Sequence, residues 1–299
     1  MKMFRKKRGR HNLMRLKKKR RMRGGSRGGD IAIFAVLFII GLFMLFPIYF
    51  SIIQSLKPSE ELYLFPPRLY VQRPTLQSFS DMLKVAGGLD VPFTRYVFNS
   101  VFTSVSITLL QVAFTSSAAY VLAKVKAPGI KALNKIIEVS LLFTSSVTYI
   151  VQYIVMSKIG IINTPAALIL PLAATPIGLF LMRQFMSQVP DTLIESAKID
   201  GASHFRICWQ IVMPNVKPAW LTLIIFAFQG SWQTNGYLFV FSEELKPLPV
   251  VMQQIAASGM QRAGISYAIV VVMMLPPMIL FMCLQSNVVE TMAHSGLKD

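Results

Sequence analysis

Six stretches of this chain contain no Asp, Glu, Lys or Arg: residues 31–56, 96–123, 139–157, 159–182, 218–242 and 263–289. Each is 19 residues or longer, enough for a helix to cross a hydrocarbon core roughly 30 Å thick. A helix in water keeps a polar face, so six windows without charge on any face exclude an ordinary soluble domain. Charged residues make up only 15% of the chain, against roughly 25% in soluble domains. The expected fold is all-α, a polytopic membrane protein of six transmembrane helices.

The connecting segments set an expected orientation. Fourteen of the 31 Lys and Arg residues fall in the first 27 positions, and residues 124–135 hold four more with no acid. Residues 183–217 hold four basic and three acidic residues. On the other side, residues 57–95 carry five basic against four acidic, and 243–262 carry two of each. The excess of positive charge places both termini in the cytoplasm. The apolar region at 31–56 is longer than the roughly 7–15 residues of a cleaved signal, and 47–58 lack a small-residue cleavage pattern. The organisation read from these features is a basic cytoplasmic tail (1–30), a first span (31–56), an extracytoplasmic loop (57–95), a core with the remaining spans (96–289) and a cytoplasmic tail (290–299). Within the core, 190–218 form a cytoplasmic hairpin. The tail fits a topological anchor on anionic lipid; the alternative is contact with a regulatory or nucleic-acid partner. With Phe4 as its single Phe, Tyr or Trp, the tail lacks the interleaved stacking residues of a nucleic-acid binder, so nucleic acid is not expected. Cys208 and Cys283 have no metal or disulfide spacing and read as packing residues.

Several spans carry more than lipid-compatible residues. Pro171 and Pro176 interrupt the fourth window, GSWQTNGY (230–237) lies within the fifth, and the third holds TSS (144–146) and Gln152. Polar groups in hydrocarbon need partners or water, so these faces are expected to point into the bundle or a cavity. The loop 57–95 is expected to be ordered, with one short helix near 76–85. Residues 242–264 include a candidate amphipathic helix near the outer membrane surface.

The polar insert ESAKIDGASHFRICWQIVMPNVKP (195–218) stands between two apolar windows. Thr192 and Glu195 have the spacing of a capping box that would start a helix, running to about Asp200. Gly201 supplies the freedom for a sharp turn. A second helix would begin near Ser203, and Phe205, Cys208, Trp209 and Val212 recur along it at three- and four-residue steps as one apolar face. Pro214 bends or ends it. Two readings fit: a lug for the cleft of another protein, or an amphipathic loop on the inner headgroups.

ESAKIDGA (195–202) followed by Pro214 and Pro218 resembles the EAA motif of the membrane subunits of binding-protein-dependent ABC importers. The spacing to Phe205, IVMP (211–214) and KP (217–218) is similar to the carbohydrate-import branch. LFPIYFSIIQSLKP (45–58), PFTRYVFNSVFTS (92–104), GSWQTNGYLF (230–239) and the C-terminal TMAHSGLKD resemble the smaller permease of that branch, the maltose MalG type. The likeness covers about residues 31–299 and implies the type I ABC importer permease fold.

It further implies that the hairpin couples to an ATPase, through Glu195, Ser196 (where the motif has alanine), Ala197, Asp200, Gly201 and Ala202. The chain has no Gly-rich loop ending in GK[ST], so it is expected to be a non-catalytic subunit without a cofactor of its own. ATP and Mg2+ belong to two cytoplasmic ATP-binding subunits. The other implied partners are a companion permease forming a heterodimer, an extracytoplasmic solute-binding protein, and a carbohydrate substrate. Candidate pathway residues are Thr144, Ser145, Gln152, Asn163, Gln229, Trp232, Gln233 and Asn235. The alternatives are an ion-coupled secondary transporter, which the charge-free spans disfavour, a scaffold without transport activity, and an ABC permease for a non-sugar polar solute.

Overall fold

The computed structural model describes residues 27–88, 91–143, 145–233, 239–257 and 263–295. Most of the basic tail, Thr144 and Asn235 therefore lie outside the described residues, and so does the side chain of Ser145. Among the described residues all regular secondary structure is helical. The chain divides into two units, Met1–Tyr49 and Phe50–Asp299. The first is described by the greater part of α1 (Arg27–Ser55), an apolar helix on which Phe34 and Phe38 stack at 6.2 Å.

The second unit shows how the charge-free windows fold. Besides α1, α4 (Phe93–Lys124) and α14 (Ala263–Ser295) are long and apolar enough to cross a bilayer unbroken. The fourth window is a bent pair, α7 (Pro165–Ile169) with a 3-10 turn to Leu172, then α8 (Pro176–Ser187), at 41°. Pro176 has no N–H to lose at the first helical position, and the hydroxyl of Thr175 accepts from the Gly178 N–H. The fifth window becomes α12 (Lys217–Trp232), set at 91° to the segment before it.

The third window divides instead between α5 (Ile130–Ser140) and α6 (Ser145–Ile159). The apolar part of α6, Val147–Ile159, rises only about 20 Å at 1.5 Å per residue. Among the described residues, length and composition thus qualify three helices as spans, or five when each bent pair is taken as one.

In the loop after α1, α2 (Ser59–Leu62) and α3 (Gln77–Gly87) form, the latter close to the helix expected near 76–85. Two buried charges order this loop. Lys57 donates to the Arg68 carbonyl at 2.6 Å, and the Glu61 carboxylate accepts from the Gln72 N–H at 3.1 Å. Burial holds the Lys57 ammonium below its usual range, with Glu61 partly opposing. The helix expected in 242–264 is α13 (Leu248–Ala256). It buries Leu248, Val250, Val251, Met252 and Ile255, joining α3, the start of α4, Trp232 and α14 in one core.

A second core lies at the other end of α4. Ala119 and Tyr120 meet Met182 and Met186 of α8, Ile194 and Ala197 of α9 (Asp191–Ile199), then Ile207, Cys208, Val212 and Leu223. This core seats the hairpin.

Candidate functional site

The hairpin starts from Pro190, which caps α9 with extended backbone and no side-chain hydrogen bond. Helix therefore begins at Asp191, one residue ahead of Thr192, and the expected capping box is not used. Pro190 has a helix-compatible φ of −60° but an extended ψ of 135°, which sets the cap, and Asp191 places a negative charge in the first turn, where the helix dipole favours it.

The far end follows the expectation. Gly201 has φ +78°, its N–H bonds to Lys198 O at 3.0 Å, and Ala202 N–H reaches Ala197 O at 2.9 Å. Together these form a Schellman closure around a left-handed glycine. Ser203 then caps the second arm, its hydroxyl accepting from Arg206 N–H.

That arm is not a plain α-helix. After α10 (His204–Arg206) the chain makes a π-helical stretch, Ile207–Val212, then α11 (Met213–Asn215). The wider turn moves the buried face off the expected register. Phe205 is exposed, Trp209 is half-buried, and Ile207 joins Cys208 and Val212 inside.

Of the residues expected to couple, Glu195, Ser196, Asp200 and Gly201 are exposed, while Ala197 is buried and Ala202 half-buried against the core. Leu193, Ile199 and Phe205 add large exposed apolar side chains, with Ile199 87% exposed. One side of the hairpin is thus fixed in the core, and the other presents apolar groups beside Glu195, Lys198 and Asp200.

Along α4 runs a buried polar stripe that the window count did not reveal: Asn99, Ser100, Thr103, Ser104, Thr108, Gln111, Thr115 and Ser116. Its three- and four-residue spacing was the available signal. Asn99 donates to Glu244 O and Lys246 O at 2.7 and 3.1 Å, Ser100 Oγ accepts from Leu248 N–H, and Gln111 Nε2 donates to Thr175 Oγ1 at 2.6 Å. Among the described residues the buried hydroxyls of Ser104, Thr115 and Ser116 have no hydrogen-bond partner. Ser104 lines, with Ser100, Thr103 and Ser231, a cavity of about 10 Å³, space for about one water.

The described pathway candidates make different contacts. Asn163 has φ +62°, and its side chain pins the segment before Glu243. Its Oδ1 accepts from Phe241 and Ser242 N–H, and Nδ2 donates to Ser242 Oγ at 2.7 Å. Trp232 is buried, stacks on Phe228 at 5.7 Å and donates to Met273 O at 3.0 Å. Gln229 is exposed beside a cavity of about 250 Å³ between α12 and α14, lined also by Phe228, Pro277 and Phe281. Gln152 is half-buried on α6, and Gln233, at the end of α12, is exposed. Among the described residues no group of three His, Cys, Asp or Glu is placed to hold a metal.

Long apolar helices, a buried polar stripe on α4 and a hairpin half buried and half exposed are the features of a polytopic membrane protein. Residues 96–294 match the family described as binding-protein-dependent transport system inner membrane component, and the chain belongs to that family. It is 33% identical over 222 residues to Protein LplC of Bacillus subtilis (strain 168), covering 69% of this chain and 75% of that protein. It is 26% identical over 272 residues to the arabinooligosaccharides transport system permease protein AraQ of the same organism, covering 90% and 95%. It is 28% identical over 240 residues to the sn-glycerol-3-phosphate transport system permease protein UgpE of Yersinia enterocolitica, covering 80% and 82%. In fold it is similar, at TM-score 0.74 and 20% identity over 88% of this chain and 98% of the other, to a bacterial ABC transporter involved in the import of the acidic polysaccharide alginate. The chain is an inner-membrane permease component that works with other components of an ABC importer.

Proposed function

We propose that this chain is the permease subunit of an ATP-driven carbohydrate importer, with an oligosaccharide as substrate. The names of AraQ and of the alginate transporter support that substrate class. The hairpin faces the cytoplasm, as the charge distribution of the connecting segments indicates, and docks in a groove of an ATP-binding subunit. The observation that carries this reading is the two-sided hairpin. Ile194, Ala197, Ile207 and Cys208 fix it inside, while Leu193, Ile199 and Phe205 are exposed around Glu195, Asp200 and Gly201. An apolar ridge with flanking charge is suited to insertion, the charges setting orientation.

Two ATP-binding subunits carry ATP and Mg2+. Their closure draws together the hairpins of this chain and its companion permease, biasing the membrane pair toward an outward-facing state. A solute-binding protein then delivers substrate from outside. Gln152, Gln229, Gln233 and Asn163 are the described candidates with side-chain amides at exposed or half-buried surface. The Asn163 amide is engaged with Phe241 and Ser242, so the three glutamines are the ones we assign to the pathway.

The experiment is ATP hydrolysis by the reconstituted complex, with the binding protein offered a panel of oligosaccharides and, because of the UgpE likeness, glycerol 3-phosphate. Stimulation by an oligosaccharide, lost with the ATPase on Ile199→Asp, supports the reading. Stimulation by glycerol 3-phosphate alone keeps the permease role and replaces the substrate. A complex that binds no ATPase overturns both.

A further inference from the structure

The hairpin is tied to α4 at three regularly spaced points. Ser116, Tyr120 and Lys124 follow one another at four-residue steps along one face of its last turns. Ser116 O accepts a weak bond from Cys208 Sγ at 3.9 Å. The Tyr120 hydroxyl and His204 Nδ1 share a hydrogen bond of 3.0 Å. Lys124 Nζ donates to Asp191 Oδ1 at 2.8 Å, to Ser187 O at 3.2 Å and to Val189 O. His204 and Asp191 are the first residues of the two arms. Consecutive turns of one helix thus hold both arms, with the Gly201 turn between their attachments.

Lys124 is the strongest of these ties. Its side chain is 5% exposed, and its three N–H donors meet three acceptors. Two of these are carbonyls, one from the last residue of α8, where the helix dipole favours a cation, and one from the link to α9. Apolar contacts around Ala119, Met186 and Ile194 tolerate sliding, whereas donors aimed at particular carbonyls fix a register.

We propose that Lys124, assisted by Tyr120, is a positioning residue that makes the hairpin and α4 move as one body, delivering displacement of the hairpin to the polar stripe of α4. This rests on the hairpin being the ATPase-docking element. The geometry further assigns the work to the donor at position 124 and not to its ion pair, because Asp191 is largely exposed and two of the three acceptors are backbone.

The test uses the full complex with sugar-loaded binding protein. It reads the ratio of stimulated to basal ATP hydrolysis together with the amount of ATPase co-purified. Lys124→Met is expected to retain the ATPase and to lower the ratio about fivefold or more, the size of a typical coupling between sites. Lys124→Arg and Asp191→Asn are expected to keep most of it. The exchange Lys124→Asp with Asp191→Lys is expected to be as poor as Lys124→Met, because a carboxylate cannot donate to the carbonyls of Ser187 and Val189. A normal ratio in assembled Lys124→Met, or rescue by the exchange, overturns the proposal.

Should Lys124→Met not assemble, Tyr120→Phe, which drops only the hydroxyl, is decisive. An unchanged ratio there overturns the proposal, and a lowered ratio supports it. Gly201→Pro separates the two levels. If it abolishes ATPase binding while assembled Lys124→Met is normal, docking stands and the clasp fails. If the unmodified chain binds no ATPase, docking itself fails and takes the clasp with it.

Discussion

Gln111 on α4 donates to the hydroxyl of Thr175 at 2.6 Å, and Gly178, one turn beyond Thr175, leaves no space for a side chain beside them. A Cβ at position 178 would lie 2.7 Å from Leu223 Cδ1, 3.0 Å from Thr175 Oγ1 and 3.1 Å from Gln111 Nε2. Glycine there lets α4, α8 and α12 approach closely, as small residues do between membrane helices. The same residue lets the Thr175 hydroxyl serve both Gln111 and the backbone at the bend.

Gly178→Ala is therefore expected to destabilise the bundle by about 1–3 kcal/mol, the usual cost of overpacking. Leu223 is fully buried and cannot swing into solvent. Thermal unfolding of the detergent-solubilised chain would measure the loss, and Leu223→Val in the same chain should recover part of it because the two positions are coupled. Equal midpoints for Gly178→Ala and the parent would show that these helices are not held at this spacing.

Gly201 makes the opposite demand. A Cβ there would meet nothing within 4 Å, but φ is +78°, so the cost of a side chain is conformational. Gly201→Val is expected to cost about 1–2 kcal/mol within the hairpin, and Gly201→Asn distinctly less, because asparagine adopts this region more readily. Hydrogen exchange at the amides of 198–207 should rank the variants glycine, asparagine, valine in increasing order of rate. The same rank is expected for loss of bound ATPase.

These two glycines also mark where sequence reasoning succeeds and where it stops. Gly201 is legible because a glycine after a short polar helix has a local reason to be there. Gly178 is not, since its reason lies on two other helices. The π-helical stretch at Ile207–Val212 likewise shifts burial from Phe205 to Ile207, although the apolar spacing of α-helix was present in the sequence. Charge-free windows located the apolar helices but overlooked the hydroxyls and amides of α4, which carry no charge. Asn163 and Trp232 read as pathway residues because each is a polar group in an apolar window, and hydrogen bonds within the chain account for both. The resemblance of 195–202 to a coupling motif was visible in the sequence, but the ties that Lys124 and Tyr120, remote from it in sequence, make to the hairpin were not.

Asn163 combines a left-handed backbone with three side-chain hydrogen bonds to Phe241 and Ser242. Asn163→Ala removes all three and leaves φ +62° to a residue that adopts it poorly, a combined cost of about 2 kcal/mol or more. Asn163→Asp keeps the acceptor for both backbone N–H groups and can accept from the Ser242 hydroxyl, so it is expected to lose less than half as much. Proteolysis within 239–246, between the Asn163 contacts and the Asn99 contacts to Glu244 and Lys246, would report the difference. Cleavage should be fast for alanine and near the parent rate for aspartate. Fast cleavage of both would mean that the Nδ2 donor, and not the paired acceptor, holds the segment.

The tie between Lys124 and Asp191 carries a pH signature. The hydrogen bond from Lys124, and after it the charge of that ammonium, holds the Asp191 carboxyl below its usual range. A carboxyl with a depressed folded pKa contributes stability that is fully present above its unfolded value, about 4, and is lost as pH falls through the folded value. Asp191→Asn should therefore melt slightly below the parent at pH 7, and the gap should close as pH drops below about 4. The gap should be small and should shrink in high salt, because the Asp191 side chain is 67% exposed and such pairs are screened. Lys124→Met, by contrast, loses the two carbonyl bonds as well, and its deficit should persist across the whole range. Parallel melting curves for Lys124→Met and Asp191→Asn, closing together at acid pH, would place the stabilisation in the ion pair and remove the backbone carbonyls from the account.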